Sequence, residues 1–367
     1  MAEIRNRPFN GFKAVSTFSG CGGSCLGYRM AGFKVLWASE FIPAAADTYR
    51  LNHPDSFLDT RDIRKVRYEE ILEATGLQVG ELDLLDGSPP CASFSMAGKR
   101  EKLWGQVKSY SDTKQRVDDL FFEYVRILDG LRPKVFVAEN VSGLLKGTAK
   151  GYFLEILAAL KGCGYRVECR LLDAQWLGVP QARQRAIFVG VRKDLPASPV
   201  FPKPLPYQYS VRDAIGDFPA QGVETHRVSS PTGKRSLDKP APTILTKGDE
   251  NCQSEMMLQG YATGREWDKL RPGEQSKRYF SLVRVDPTLP CPTITQLGGS
   301  PGVASVTHPT EKRKFTIPEL KRLCAFPDDF VLTGSYRKQW ERLGRAVPPV
   351  MMSYVAAEIR DGILCRL

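Results

Sequence analysis

Short apolar runs alternate along the chain with longer stretches in which apolar residues recur every three or four positions. Residues 13–18 read as a first strand, running directly into Ser19-Gly20-Cys21-Gly22-Gly23-Ser24 and a helix-like segment over 25–31. A second strand over 33–38 ends at Ser39-Glu40, and 43–52 is helical. Thr60-Arg61-Asp62-Ile63 forms the loop after a third short strand, and 67–76 is helical again. Leu82-Asp83-Leu84-Leu85 is short, branched and closed by Asp86-Gly87, the pattern of a buried strand. Helical spacing over 117–131, a strand over 134–138, a helix around 152–161 and strand-like runs over 165–172 and 186–191 follow. Strands alternating with helices predict an α/β fold on an open sheet.

The pattern changes near residue 195. Between 196 and 314 prolines and glycines are dense and helical periodicity is absent, which predicts an irregular, β-leaning second domain. It carries a faint internal echo, Pro240-Ala241-Pro242-Thr243-Ile244 against Pro290-Cys291-Pro292-Thr293-Ile294. Thr316-Ile317-Pro318-Glu319 then reads as a capping box opening a helix, and 351–363 as an amphipathic helix. The expected division is 1–194, an inserted domain over 195–314, and a segment over 315–367 that completes the first domain.

Several features of this pattern carry chemistry. Pro89-Pro90 stiffens the chain and ends ladder pairing, so Cys91 is expected just past the carboxyl end of its strand, where open α/β sheets bind ligands. Strand, glycine turn and helix over 13–31 form a nucleotide-binding arrangement, although the spacing is not G-x-G-x-x-G. Glu40, about 20 residues after the turn, is positioned for ribose hydroxyls. Glu139 ends a strand facing the same crevice, and Arg183 and Arg185 would share a face if their backbone is extended. The long polar and basic stretch over 98–117 could close as a lid.

Composition narrows the class. Hydrophobic residues make up 42% and charged residues 25%, ordinary values for a globular protein. No run approaches the roughly 18 apolar residues of a membrane span, so no membrane partner and a cytoplasmic location are expected. The nine cysteines include no C-x-x-C pair, and three histidines (His53, His226, His308) give no zinc-like spacing, so free thiols and no metal are expected. A net charge of +11 suits a polyanion. Arg265, Trp267, Lys269, Arg271, Lys277, Arg278 and Tyr279 interleave basic and aromatic character in the middle region, as a phosphate-gripping, base-reading surface would.

Taken in order, Phe18-Ser19-Gly20-Cys21-Gly22-Gly23, Pro89-Pro90-Cys91, Glu139-Asn140-Val141, Gln181-x-Arg183-x-Arg185, Phe326-Pro327 and Gly344-x-Ala346-Val347-Pro348-Pro349 closely resemble the motifs of the DNA cytosine-5 methyltransferase family. The resemblance covers about 13–193 and 315–365, leaving the middle as the family's target-recognition domain. It implies a Rossmann-like S-adenosylmethionine-dependent methyltransferase fold and double-stranded DNA as substrate. Cys91 would be the nucleophile at carbon 6 of a flipped cytosine, Glu139 the group at ring nitrogen 3, and Arg185 with Arg183 the donors to oxygen 2 and the nucleophile loop. S-adenosylmethionine would lie against Phe18, Gly20, Gly22 and Gly23, with Glu40 on the ribose and Asp62-Ile63 at the adenine. A monomer is the expected state, and a cognate restriction endonuclease a candidate partner.

One position departs from the family pattern: Arg345 stands where Asn is usual. A guanidinium beside a cationic sulfonium would be repelled. Arg345 then points to solvent or phosphate, or it weakens transfer, or it pairs with an extra negative charge on the donor. In the last case carboxy-S-adenosylmethionine would deliver a carboxymethyl group. A DNA-binding protein without catalysis is the alternative of another class, and an RNA substrate fits less well with so long a middle region.

Overall fold

The computed structural model describes residues 1–90, 108–110, 113–115, 119–145, 150–218 and 256–367. Its centre is a seven-stranded sheet. The strands are β1 (Lys13–Thr17), β2 (Lys34–Ser39), β3 (Phe57–Asp59), β4 (Leu84–Gly87), β7 (Val135–Val141), β8 (Tyr165–Asp173) and β9 (Gln184–Arg192), in the order β3-β2-β1-β4-β7-β9-β8. Two three-residue strands, β5 (Lys108–Tyr110) and β6 (Thr113–Gln115), pair with each other outside it. β9 alone runs antiparallel, between β7 and β8. Strand order reverses between β1 and β4, so the glycine turn and the Pro89-Pro90 turn leave adjacent strands at the switch point.

Alternation along the strands builds two cores. On β7, Val135 and Val137 face one way, with Ala14, Val35 and Leu84. Phe136 and Ala138 face the other, with Leu85, Phe188 and Trp37. α4 (Tyr68–Thr75), α5 (Leu120–Leu131) and α6 (Lys150–Gly162) cover the second face. The first is covered by α2 (Gly23–Met30) and the last helix, α11 (Pro349–Gly362). Those two pack closely because Gly27 has no side chain: a Cβ there would lie 2.6 Å from the Pro349 carbonyl oxygen and 2.7 Å from Met352 Cβ. The α11 stripe of Met351, Met352, Val355, Ala356 and Ile359 is fully buried.

Among its described residues the middle region is irregular, with helices α7 (Val211–Ile215) and α8 (Ala262–Trp267) and two-residue strands β10 (Val283–Arg284) and β11 (Val306–Thr307). It shares a third core with α9 (Ile317–Leu323) and α10 (Tyr336–Arg345): Val285, Cys291 and Ile294 pack with Phe315, Leu320 and Trp340, and with Cys21 and Leu26 beside the glycine turn. α9 opens as predicted. Thr316 Oγ1 accepts from the Glu319 amide at 3.3 Å, and the Thr316 amide donates to Glu319 Oε2 at 2.6 Å. One expectation fails in this region: Trp267 is buried, donating Nε1–H to Thr307 Oγ1 at 3.0 Å with the Arg284 guanidinium 4.0 Å over its ring. It is core, and only the cations around it face solvent.

Candidate functional site

At the carboxyl end of β1 the chain turns through Phe18 with φ 54° and through Gly20 and Gly22 with φ 58° and 90°. A bulky residue in left-handed backbone is uncommon, and such strain gathers where a surface must be held for a ligand. The glycines differ in purpose. A Cβ at Gly22 would stand 2.2 Å from His53 Nε2, and one at Gly23 2.3 Å from the Val347 carbonyl oxygen. At Gly20 nothing lies within 4 Å. Gly22 and Gly23 therefore serve close packing, and Gly20 borders open space. α2 starts here without a side-chain cap, leaving its first N–H groups for a polar ligand.

Glu40 is buried at the tip of β2. Its Oε2 accepts from the Gly20 amide at 2.8 Å and its Oε1 from the Ile42 amide at 2.7 Å. Burial pushes its carboxyl up, against those two N–H bonds and the charges of Arg342 and Arg345. Glu40 thus ties two turns together while each oxygen keeps a further lone pair. Asp62 accepts from its own Arg64 amide and guanidinium at 3.0 Å, and Ile63 is buried beside it. Phe18, Gly20, Glu40, Asp62 and Ile63 lie after the ends of three neighbouring strands, an arrangement that fits a nucleoside with a polar tail.

The second half of the site lies after β4 and on β7 and β9. Cys91 is outside the described residues, as is most of the 98–117 stretch read as a lid. The turn leading to Cys91 is fixed: Asn140 Nδ2 donates to the Pro89 carbonyl at 3.2 Å, and the Ser88 amide to the Thr17 carbonyl at 3.3 Å. Glu139 points into the crevice from β7, where its Oε1 meets Arg185 Nε at 2.6 Å, both side chains about nine-tenths buried. A buried pair of this kind orients both groups, and removing either leaves the other's charge uncompensated.

Arg183 does not share that face. The chain becomes a strand only from Gln184, and Arg183 turns inward. There its Nη1 donates to the Ile294 carbonyl at 3.1 Å and its Nη2 to the Gly344 and Ala346 carbonyls at 2.9 and 3.0 Å. Burial, with Arg185 nearby, lowers its pKa to about 9. It fastens the middle region and the 344–346 segment to the start of β9. Arg345 sits inside that fastened segment, its Nε on Glu341 Oε1 at 2.9 Å. Arg342 reaches the same oxygen at 3.1 Å.

Sequence reasoning missed the buried layer beneath the crevice. Asp86, on β4, accepts from Ser16 Oγ at 2.8 Å and Tyr28 OH at 3.0 Å, and Ser19 Oγ donates to Ser16 Oγ at 3.0 Å. Burial, with the Glu139 charge adding to it, raises its pKa to about 7. The signal was present in the sequence, an acid inside an apolar strand.

No cluster of metal-ligating side chains occurs among the described residues, and no helix there is long and apolar enough to cross a membrane. The sheet order and the crevice at its switch point are those of a Rossmann-like S-adenosylmethionine-dependent methyltransferase fold, and solved structures share it. A protein described as a putative DNA modification methyltransferase encoded within an E. coli prophage matches with TM-score 0.72 at 24% identity, over 96% of this chain and all of that one. A Spodoptera frugiperda DNMT2 variant matches at TM-score 0.63 and 18% identity, over 94% of this chain and 98% of that one. The family model for C-5 cytosine-specific DNA methylase matches residues 12–361. The Type II methyltransferase M1.HphI of Haemophilus parahaemolyticus is 32% identical over 94% of this chain and 86% of its own length. M.NgoPII of Neisseria gonorrhoeae is 30% identical over 96% of each. The chain belongs to the C-5 cytosine-specific DNA methylase family and is a DNA cytosine-5 methyltransferase.

Proposed function

We propose that the crevice at the β1/β4 switch point holds S-adenosylmethionine and that the Glu139–Arg185 pair beside it receives a cytosine extruded from duplex DNA. The observation that carries this reading is the pair itself, buried and joined at 2.6 Å at the edge where the Pro89-Pro90 turn emerges. Carbon 5 of cytosine is a weak nucleophile inside a stacked duplex, so the base must leave the stack and the ring must be activated. Cys91 supplies a thiolate to carbon 6, forming a bond that breaks again when the carbon 5 proton is removed. Glu139 holds ring nitrogen 3 and gives it a proton as the thiolate adds, so that negative charge drains from carbon 5 to the nitrogen and an enamine with a nucleophilic carbon 5 results. Arg185 orients Glu139 and donates toward oxygen 2, where negative charge gathers as the thiolate adds. Phe18, Gly20, Glu40, Asp62 and Ile63 bind and orient the donor, which when bound supplies an electrophilic methyl group. Arg183 positions the surrounding segments. The chain is read as three parts, 1–194, 195–314 and 315–367, with the middle part reading the DNA sequence; the restriction-modification role of the named relatives extends to this chain in the same reading.

Duplex DNA carrying 5-fluorocytosine at the target site, offered together with S-adenosylmethionine, tests this, because fluorine on carbon 5 blocks the elimination that would release the thiol after transfer. A covalent adduct mapping to Cys91, absent in Cys91→Ala, is the expected result. A folded protein that binds DNA without any adduct would make the chain a binding protein instead.

A second reading concerns the donor. Arg342 and Arg345 share one oxygen of Glu341, two guanidiniums on one carboxylate at the edge of the crevice. A donor bearing a carboxylate would add a third negative group beside them. Glu40 also feels both guanidiniums, so two carboxylates already balance the two charges, and this favours the plain methyl donor. Offering both donors together and weighing the modified nucleoside separates them: 5-methylcytosine alone excludes the carboxymethyl reading.

A further inference from the structure

Leu297 is 58% exposed, yet the turn carrying it is among the most firmly held parts of the middle region. Lys314, itself 1% exposed, donates Nζ–H to the Gly298 and Ser300 carbonyls, each at 2.6 Å. Trp340 Nε1 donates to the Thr295 carbonyl at 2.8 Å, and Gly298 and Gly299 lie against the Trp340 ring. Arg183 holds the Ile294 carbonyl, and Thr293 Oγ1 donates to the Ala182 carbonyl at 2.6 Å. The Gln296 backbone touches Gly344, so closely that a Cβ on that glycine would lie 2.8 Å from Gln296 Cα. The turn is thus built against the same 182–185 and 344–346 segments that border the cytosine crevice. Phe280 is more exposed, at 78%, but no described contact links its loop to those segments.

A rigid alkyl group held in water beside the target pocket of a DNA enzyme has one base-edge feature it can distinguish. It cannot donate or accept, so it cannot read amides or carbonyls in either groove. The C5-methyl of thymine in the major groove is apolar and unique to that base. We propose that Leu297 is a specificity-determining residue that recognises a thymine methyl in the sequence flanking the target cytosine. This rests on the reading of the crevice as the cytosine site.

The test starts from the methylated sequence, obtained by sequencing modified cytosines in DNA from an expressing host, which by itself reports on the crevice reading. Each thymine of that site is then replaced singly by uracil, removing only the methyl. At one position the full-length enzyme should lose about three- to fivefold in kcat/KM, the effect of one buried methyl group. Leu297→Ala should treat thymine and uracil alike at that position while keeping methylation of the site, and Leu297→Met should restore the preference. A site without thymine, no loss on uracil, or an equal loss in Leu297→Ala would each overturn the assignment while leaving cytosine methylation intact.

Discussion

Residue by residue, the site works through neighbours that hold a group in place. Replacing Glu139 with Gln keeps the shape but removes the carboxyl proposed to hand a proton to ring nitrogen 3. Single-turnover methylation should fall by roughly 10²–10³ while DNA binding is retained. Arg185→Ala leaves Glu139 buried without its partner, and should cost both rate and about 3–5 kcal/mol of stability in denaturant titration. Asp86 and His53 set opposite acid–base slopes. Asp86 has a folded pKa of about 7 against an ordinary 3.8, so the folded protein keeps a proton that the unfolded chain releases between those values. Its contribution is full at low pH and is lost as pH rises toward 7. His53, buried and neutral, is lowered to about 3 from 6.5, chiefly by burial and then by Arg29. Its contribution is full above 6.5 and is lost as pH falls toward 3. In Asp86→Asn the first slope should vanish. In the parent protein the two slopes oppose each other up to pH 6.5, so the melting temperature of the variant should rise with pH toward 6.5 more steeply than the parent's.

At the scale of elements, the glycine turn separates folding from binding. Gly22→Ala sets a Cβ 2.2 Å from His53 and should destabilise the protein in thermal melts. Gly20→Ala meets no atom within 4 Å and costs only the left-handed backbone, about 1–2 kcal/mol, so the variant should fold. Donor affinity, measured by calorimetry, should nevertheless drop by an order of magnitude or more as the added methyl enters the crevice. These elements were largely readable in the chain. Strands over 13–18, 33–38, 165–172 and 186–191 and the Thr316 capping box stand within a residue or two of their expected places. Periodicity carries no strand direction, so the antiparallel course of β9 was not legible. Nor was the divergence of Arg183 from Arg185, because it depends on where extended backbone begins. Trp267 was read as surface because a mixed basic and aromatic run looks the same whether its ring is inside or out. The third core was hidden because its members come from residues 21 to 343 and no local pattern joins them.

For the molecule as a whole, the +11 net charge and the exposed Arg265, Lys269, Arg271, Lys277 and Arg278 are expected to set the long-range part of DNA binding. Affinity should fall linearly in log–log form with salt. Substituting Lys277 and Arg278 together should lower that slope by about 2 if each meets a phosphate, while leaving the methylated sequence unchanged. Filter-binding or fluorescence titrations across a salt series measure this.

Arg183 grips only main-chain oxygens, those of Ile294, Gly344 and Ala346. Such a joint is blind to which side chains its tenants carry. A foreign reading module grafted between the two halves would need to present one carbonyl at the right height and to refill the apolar positions of Val285, Cys291 and Ile294 against Phe315, Leu320 and Trp340. Modules from relatives that keep those positions apolar should therefore graft as hybrids that mark a new run of letters while sharing one unaltered engine.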